Sequence, residues 1–295
     1  MTQPQISVIV PIRDASQTAT ATLRQLIQEC SGYSVEVIAS ISSFDRTVME
    51  LPNGVRLLTV DRVSGVPQLR REALLVAAGK WIVITEDHCL FPPGWLQALI
   101  GNCERYGGSV CGGPVANGRN SVTGWAQYLT RYSAFIPGGA GGLTTGLPGN
   151  NACYPRALIF QRLKLLQDGF WEAEFNDELR RSGIPLRLVP EAIVTQDQRR
   201  GTFAYTHLRF QHGRCYGARR SRAITKWQLV KLVILSPFLP GLLFFRIMRS
   251  VMVKKFEVKR FLLASPLILS YVFAWSAGEL TGYLAGAGES CHQTD

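Results

Sequence analysis

Four short runs of apolar, largely β-branched residues dominate the first third of the chain: residues 6–10 (Ile-Ser-Val-Ile-Val), 35–38 (Val-Glu-Val-Ile), 55–60 (Val-Arg-Leu-Leu-Thr-Val) and 81–84 (Trp-Ile-Val-Ile). Runs apolar on both faces predict buried parallel strands rather than half-exposed ones. The stretches between them carry helical periodicity. Leu23, Leu26, Ile27 and Cys30 recur at i, i+3, i+4 and i+7. Ahead of the fourth run, Pro67 opens a segment with Leu69, Ala73, Leu74 and Ala77 on one side, and Gly79 closes it. Strands alternating with helices predict a doubly wound, mostly parallel α/β sheet, in which ligands sit beyond the carboxyl ends of the strands.

Further along, Trp95, Leu96, Leu99, Ile100 and Cys103 mark a helix after Pro92-Pro93, and a short strand falls near residues 109–111. Residues 137–151 are rich in glycine, which predicts a long binding loop or lid. Helices over 156–167 and 172–182 and a strand over 186–189 complete the α/β body. The seven cysteines (Cys30, Cys89, Cys103, Cys111, Cys153, Cys215 and Cys291) are odd in number and contain no C-x-x-C pair, so neither a disulfide framework nor a zinc knuckle is expected.

The 295 residues carry a net charge of +11, distributed unevenly: residues 1–198 balance to zero, 199–260 carry 15 basic residues against one acidic, and 261–295 carry none against three. The basic segment holds long apolar runs, 14 uncharged positions over 232–245 broken by Pro237 and Pro240, with 18 more over 261–278. Basic residues flanking apolar runs point to an anionic membrane surface, and a nucleic-acid partner would not need those runs. The short first run predicts a segment that dips into the bilayer and returns, with the basic flanks on the cytoplasmic side. Residues 1–5 lack the charged and apolar regions of a secretory signal, so the body is expected in the cytosol, at the inner face of the cell membrane. The expected division is a catalytic domain over 1–222, a membrane-associated helical region over 223–289 and a polar tail over 290–295.

At the end of the fourth strand stands Thr85-Glu86-Asp87-His88-Cys89. Two carboxylates and an imidazole at the ligand end of such a sheet are candidate ligands for a divalent cation. Three segments in order, Val8-Ile-Val-Pro11-Ile-Arg13-Asp14, then Arg70 through His88, then Gly149-Asn-Asn-Ala-Cys-Tyr-Pro-Arg156, resemble family 2 glycosyltransferases of the GT-A fold over residues 5–215. The resemblance implies a nucleotide-sugar donor lying over the strand ends, with a D-x-D motif holding a divalent ion on its diphosphate. Here the matching triplet is Glu86-Asp87-His88, and Asp87 and His88 are the implied metal ligands. His88 in place of the usual Asp favours Mn²⁺ over Mg²⁺, because imidazole suits transition ions. Arg70 matches an arginine that helps hold the nucleotide, and Pro11, Arg13 and Asp14 match the part that meets the base. The family's Asp-Asp-Gly-Ser-x-Asp-x-Thr is replaced by Ser40-Ile-Ser-Ser-Phe-Asp45-Arg-Thr47, which keeps only Asp45 and Thr47 and leaves the base open.

The resemblance places the general base at Glu172, with Trp171 where an acidic neighbour is usual. Gln211-His-Gly-Arg214-Cys215 loosely resembles the Q-x-x-R-W motif of processive members without its Trp, making Gln211 and Arg214 candidate phosphate contacts. The function implied is inverting transfer of a sugar to a lipid or envelope-glycan acceptor at the membrane, with no obligate protein partner. A catalytically silent nucleotide-sugar or polyisoprenoid-phosphate binding protein is the alternative, since the Asp pair is missing and the triplet altered.

Overall fold

The computed structural model describes residues 3–13, 17–43, 50–61, 64–107 and 109–294. In chain order the strands are β1 (Ile6–Ile12), β2 (Val35–Ser42), β3 (Val55–Val60), β4 (Trp81–Ile84), β5 (Cys89–Leu90), β6 (Val110–Gly112), β7 (Val115–Asn117), β8 (Gly142–Thr144), β9 (Ala152–Pro155), β10 (Leu186–Leu188) and β11 (Val194–Gln196). The helices are α1 (Gln17–Glu29), α2 (Val66–Val76), α3 (Trp95–Arg105), α4 (Val122–Tyr132), α5 (Arg156–Phe160), α6 (Glu172–Arg181), α7 (Thr202–Arg222), α8 (Lys226–Leu235), α9 (Leu239–Val253) and α10 (Val258–Ala285).

Met1–Gly118 and Phe135–Asp197 form one compact unit. Its main sheet has the order β3-β2-β1-β4-β9-β6-β10-β8. The four predicted strands lie side by side and parallel, with Ile9 of β1 opposite both Ile38 of β2 and Ile84 of β4. Leu69, Ala73 and Leu74 of α2 are buried, as the helical stripe predicts. Gly79 serves packing rather than the helix end: α2 already stops at Val76, and a Cβ on Gly79 would come within 2.5 Å of the Ser7 backbone nitrogen. The glycine-rich stretch expected as a loop contains β8, which pairs antiparallel with β10 at the sheet edge. The helix expected over 156–167 is shorter: α5 ends at Phe160, and a single 3₁₀ turn follows over Leu163–Leu166. Antiparallel β9, set between β4 and β6, delivers Gly149, Asn150 and Asn151 to the carboxyl end of β4. This is the ligand end of a GT-A-type sheet.

Arg119–Ala134 and Gln198–Asp295 form the second unit, so the compact division falls at 118/119, 134/135 and 197/198 rather than at 222/223. The reason is a crossing of α7 and α10 too close for side chains. A Cβ on Gly213 or Gly217 of α7 would strike the carbonyls of Trp275 or Glu279, and one on Gly278 or Gly282 of α10 would strike those of Phe210 or Arg214. Small residues spaced four apart on both helices allow this backbone approach. A disulfide joins Cys215 of α7 to Cys291, a single bridge where the cysteine count and spacing led to no disulfide framework being expected. Pairing here is a matter of tertiary proximity, because the two cysteines lie 76 residues apart.

The first apolar run is longer than the uncharged stretch indicates. Helix continues over Lys226–Val253, with Pro237 in a 3₁₀ turn (Ser236–Phe238) and Pro240 in the first turn of α9, where a missing N–H costs nothing. Lys226–Val253 and Val258–Ala285 each have 28 residues, about 42 Å at about 1.5 Å per residue, long enough to cross a membrane. Only 11% of the most apolar window in the first is buried, against 39% in the second. Trp227, Ile234, Phe238, Phe245 and Val253 stand largely bare.

Candidate active site

β4 ends at Ile84, and the chain turns at once, with the Cys89 N–H donating to the Glu86 carbonyl at 3.2 Å. This turn packs Glu86, Asp87 and His88 together. Within it, His88 stands between both acids, Nδ1 lying 2.9 Å from Asp87 Oδ1 and Nε2 3.2 Å from Glu86 Oε2. Burial favours the neutral imidazole, but hydrogen bonds and charge from Asp87 and Glu86 outweigh it and raise His88 to about 9. The adjacent Cys89 thiol is pushed up to about 12, first by burial and then by the Glu86 charge, so it remains neutral behind the triplet.

Glu86 is fastened from the other side by Arg70. This guanidinium, only 1% exposed, donates from Nη2 to Glu86 Oε1 at 3.0 Å and to the Gly149 carbonyl at 2.7 Å, and from Nη1 to Glu172 Oε2 at 2.9 Å. A planar fork that reaches two carboxylates at once is a geometry lysine cannot reproduce. Arg70, expected against the nucleotide, is engaged by the protein's own acids. It joins the triplet and Glu172, 86 positions apart in sequence, in one cluster. Glu172 itself keeps 31% of its side chain exposed, enough to meet a substrate. It opens α6, where Glu174 also sits in the first turn and complements the helix dipole.

Arg13, after β1, approaches the triplet through its backbone N–H, 3.3 Å from Asp87 Oδ2, while its side chain donates to the Ser64 carbonyl at 2.9 Å. Pro11 is buried within β1 opposite Ser40. Asp14 and Asp45 lie outside the described residues. Gln211 and Arg214, expected at phosphate, bind the chain's own tail. Gln211 accepts a hydrogen bond from the Ser290 hydroxyl, and Arg214 Nε donates to the Gly286 carbonyl at 2.9 Å.

Gly149 and the two asparagines after it belong to the motif read from the sequence, which carries no signal of their separate tasks. A Cβ on Gly149 would overlap Glu172, lying 2.7 Å from its Cδ, so glycine is what lets the Glu172 carboxylate lie against this turn. Asn151 is fully buried. Its Oδ1 accepts from Trp95 Nε1 at 2.9 Å, and its Nδ2 donates to the carbonyls of Pro114 and Ala192 at 3.1 and 2.7 Å. Both sides of the turn are thereby pinned to the sheet.

Among the described residues, no three His, Cys, Asp or Glu side chains form a cage that could hold a metal ion by themselves. Asp87 and His88 nevertheless offer one carboxylate and one imidazole at a site only 13% exposed, a donor set suited to a borderline ion that takes its remaining ligands from phosphates. The raised His88 means that in the metal-free protein a proton holds the charge balance between the two acids.

A mostly parallel sheet with acids at a strand end, facing a second carboxylate across a glycine turn, is the plan of a nucleotide-sugar transferase. Residues 7–164, more than half of the chain, match the model of glycosyl transferase family 2, and the chain belongs to that family. By sequence it matches none of the curated proteins. Among solved structures it is similar to the mannosyltransferase PcManGT from Pyrobaculum calidifontis in complex with GDP-Man and Mn²⁺, at 15% identity and a TM-score of 0.57, over 95% of this chain and 88% of that one. It is also similar to GalNAc-T7 with UDP, GalNAc and Mn²⁺, at 15% identity and a TM-score of 0.54, over 67% of this chain but only 44% of that one. At these identities the likeness establishes the GT-A fold.

Proposed function

We propose that the chain is an inverting glycosyltransferase that moves a sugar from a nucleotide-sugar donor to a lipid or glycan acceptor at the cytoplasmic face of a membrane. The observation that carries this reading is the Arg70 bridge, which joins Glu172 and the Glu86-Asp87-His88 triplet in one cluster. Glu172 takes the proton from the acceptor hydroxyl as its oxygen bonds to the anomeric carbon, and the bond to the diphosphate breaks with its electrons leaving on the nucleotide. Asp87 and His88 would hold a divalent ion, Mn²⁺ rather than Mg²⁺, which when bound neutralises charge on the diphosphate. Support comes from the family and from two fold relatives solved with a nucleotide or nucleotide-sugar and Mn²⁺. Attachment to the bilayer is supported by the bare apolar faces of α8 and α9 beside their basic residues.

The test is a panel of UDP- and GDP-sugars with Mn²⁺ and detergent-solubilised full-length protein. Glu172→Gln is expected to keep donor binding and lose about 10²–10⁴ in turnover. Full turnover in that variant removes Glu172 as the base, and donor binding without turnover in the parent protein identifies a silent binding protein instead.

A further inference from the structure

Both long apolar helices have the length of a membrane crossing, but neither has the surface of one. In α8 and α9 the uncharged run 232–245 is bracketed by exposed Lys231 and Arg246. Its 14 residues rise about 21 Å at about 1.5 Å each, short of a hydrocarbon core of about 30 Å. Between those cations Ile234, Phe238, Leu242 and Phe245 stand bare. α10 is limited differently, because its own unit sheathes one side of it. Along its second half Arg209 of α7 lies 4.3 Å over the Trp275 ring, Arg220 donates to the Tyr283 hydroxyl at 3.2 Å, and Arg214 Nε donates to the Gly286 carbonyl at 2.9 Å. A crossing α10 would carry these three arginines towards hydrocarbon, where a charge is costly. What remains is residues 261–274, again 14 positions and about 21 Å.

The ends of α10 are tied to polar parts of the chain as well. Just before it, the Phe256 ring sits 6.1 Å from that of Trp125 on α4, which follows β7 and precedes β8 in the chain and so stays in water with them. Near its middle, the Tyr271 ring meets that of Tyr205 at 4.7 Å, and the Tyr205 hydroxyl donates to the Gln127 carbonyl of α4 at 3.0 Å. Beyond its far end the tail is bonded to α7 through Cys291. The other side of α10 is bare and apolar: Leu262, Leu269, Phe273 and Leu284 fall on one helical stripe along the whole length.

We propose that α8, α9 and α10 lie in the plane of the membrane and sink into one leaflet of anionic phospholipid without crossing it. The proposal rests on the bilayer attachment read above and extends it to α10, which length alone would send across. Each helix then offers an apolar face to acyl chains, while the groups that sheathe α10 stay on the water side. Lys231, Arg246 and Arg249 are exposed and reach phosphate headgroups with their aliphatic stems in the apolar layer. Trp227, 82% exposed between Lys226 and Lys231, suits the headgroup level. The charge chooses the occupant: with 15 basic residues against one acidic over 199–260, a second copy of this face would set like charges together, whereas anionic lipid complements them.

The test has two arms, both on the full-length protein. In flotation, phosphatidylcholine vesicles containing phosphatidylglycerol should bind about tenfold or more tighter than phosphatidylcholine alone, and Phe238→Glu should lose about tenfold in that binding with its unfolding temperature in detergent unchanged. For topology, a membrane-impermeant maleimide is applied to spheroplasts and to inverted inner-membrane vesicles of a bacterial expression host. Arg222→Cys reports the start of α8 and Lys259→Cys the start of α10; both positions are exposed, and the five free cysteines of the parent are buried, so the parent is the background control. Both new thiols should react from the same face, and permeabilisation should add nothing on that face. Reaction of both from inverted vesicles supports the proposal and the cytoplasmic placement together; reaction of both from spheroplasts supports the proposal and overturns that placement. Reaction from opposite faces in a protein that still floats means that the segment between them crosses, which overturns the proposal and leaves the attachment standing. A protein that floats with neither vesicle overturns the attachment and the proposal with it, and if it is a dimer in buffer the apolar face belongs to a second copy.

Discussion

Arg70 in the sheet unit and Arg209 in the helical unit are both buried guanidinium groups, but their surroundings are opposite. Arg70 lies between two carboxylates and a carbonyl, so that its charge organises the site. Arg209 lies over the Trp275 indole, and among the described residues no ion pair with a carboxylate is seen for it. A buried cation in the first setting is part of the protein's own framework. In the second its main contact is the face of an aromatic ring. The units also differ in how they are tied: the sheet unit closes its site with ions, whereas the helical unit closes α7 onto the tail with a covalent bond.

The contrast breaks most visibly at Arg70. Arg70→Met leaves Glu86 and Glu172 without their shared cation, and urea unfolding should show a loss of about 3–5 kcal/mol. An unchanged midpoint would mean that the bridge contributes nothing. Next, Cys215→Ser opens a loop of 76 residues and should lower the unfolding free energy of the helical unit by about 2–4 kcal/mol, with the same loss produced by reductant in the parent protein. Gly149→Ala forces a methyl group against Glu172. It should cost about 1–3 kcal/mol and lower turnover more than donor affinity, separable as kcat against KM. The smallest effect is expected at Arg209. Arg209→Met loses a cation–π contact worth about 1 kcal/mol but removes a buried charge whose Nε has no acceptor, so stability should stay level or rise slightly. A large loss there would show that the two arginines are alike after all.

The parallel half of the sheet was legible because its signal is local. Strands β1, β2 and β4 are apolar runs buried along most of their length, which leaves them little other arrangement, whereas β3, read from its sequence as equally buried, lies at the sheet edge with Arg56 and Leu57 exposed. Acids placed directly after β4 marked the ligand end for the same reason, and Glu172 was reached by resemblance. β5, β7 and β11 were not legible, since strands of two or three residues have no period of their own and exist only through pairing across the fold. α4 was also missed. Its buried Trp125, Ala126, Tyr128, Leu129 and Tyr132 are interrupted by Gln127, which is itself buried, its Nε2 donating to the Arg200 carbonyl while its backbone carbonyl accepts from the Tyr205 hydroxyl.

Local composition by itself determined the positions of the four strands of the first half, the position of the acidic triplet and the placing of basic and apolar residues towards the end of the chain. Apolar periodicity and charge density are properties of neighbours in sequence, so they survive without a fold. Only the tertiary structure decided that Arg70 faces two acids, that Gln211 and Arg214 hold the tail, that Cys215 meets Cys291 and that Arg209 lies over Trp275. Whether a charge is satisfied depends on groups that arrive from distant elements within a few ångströms, and chain packing alone brings them there.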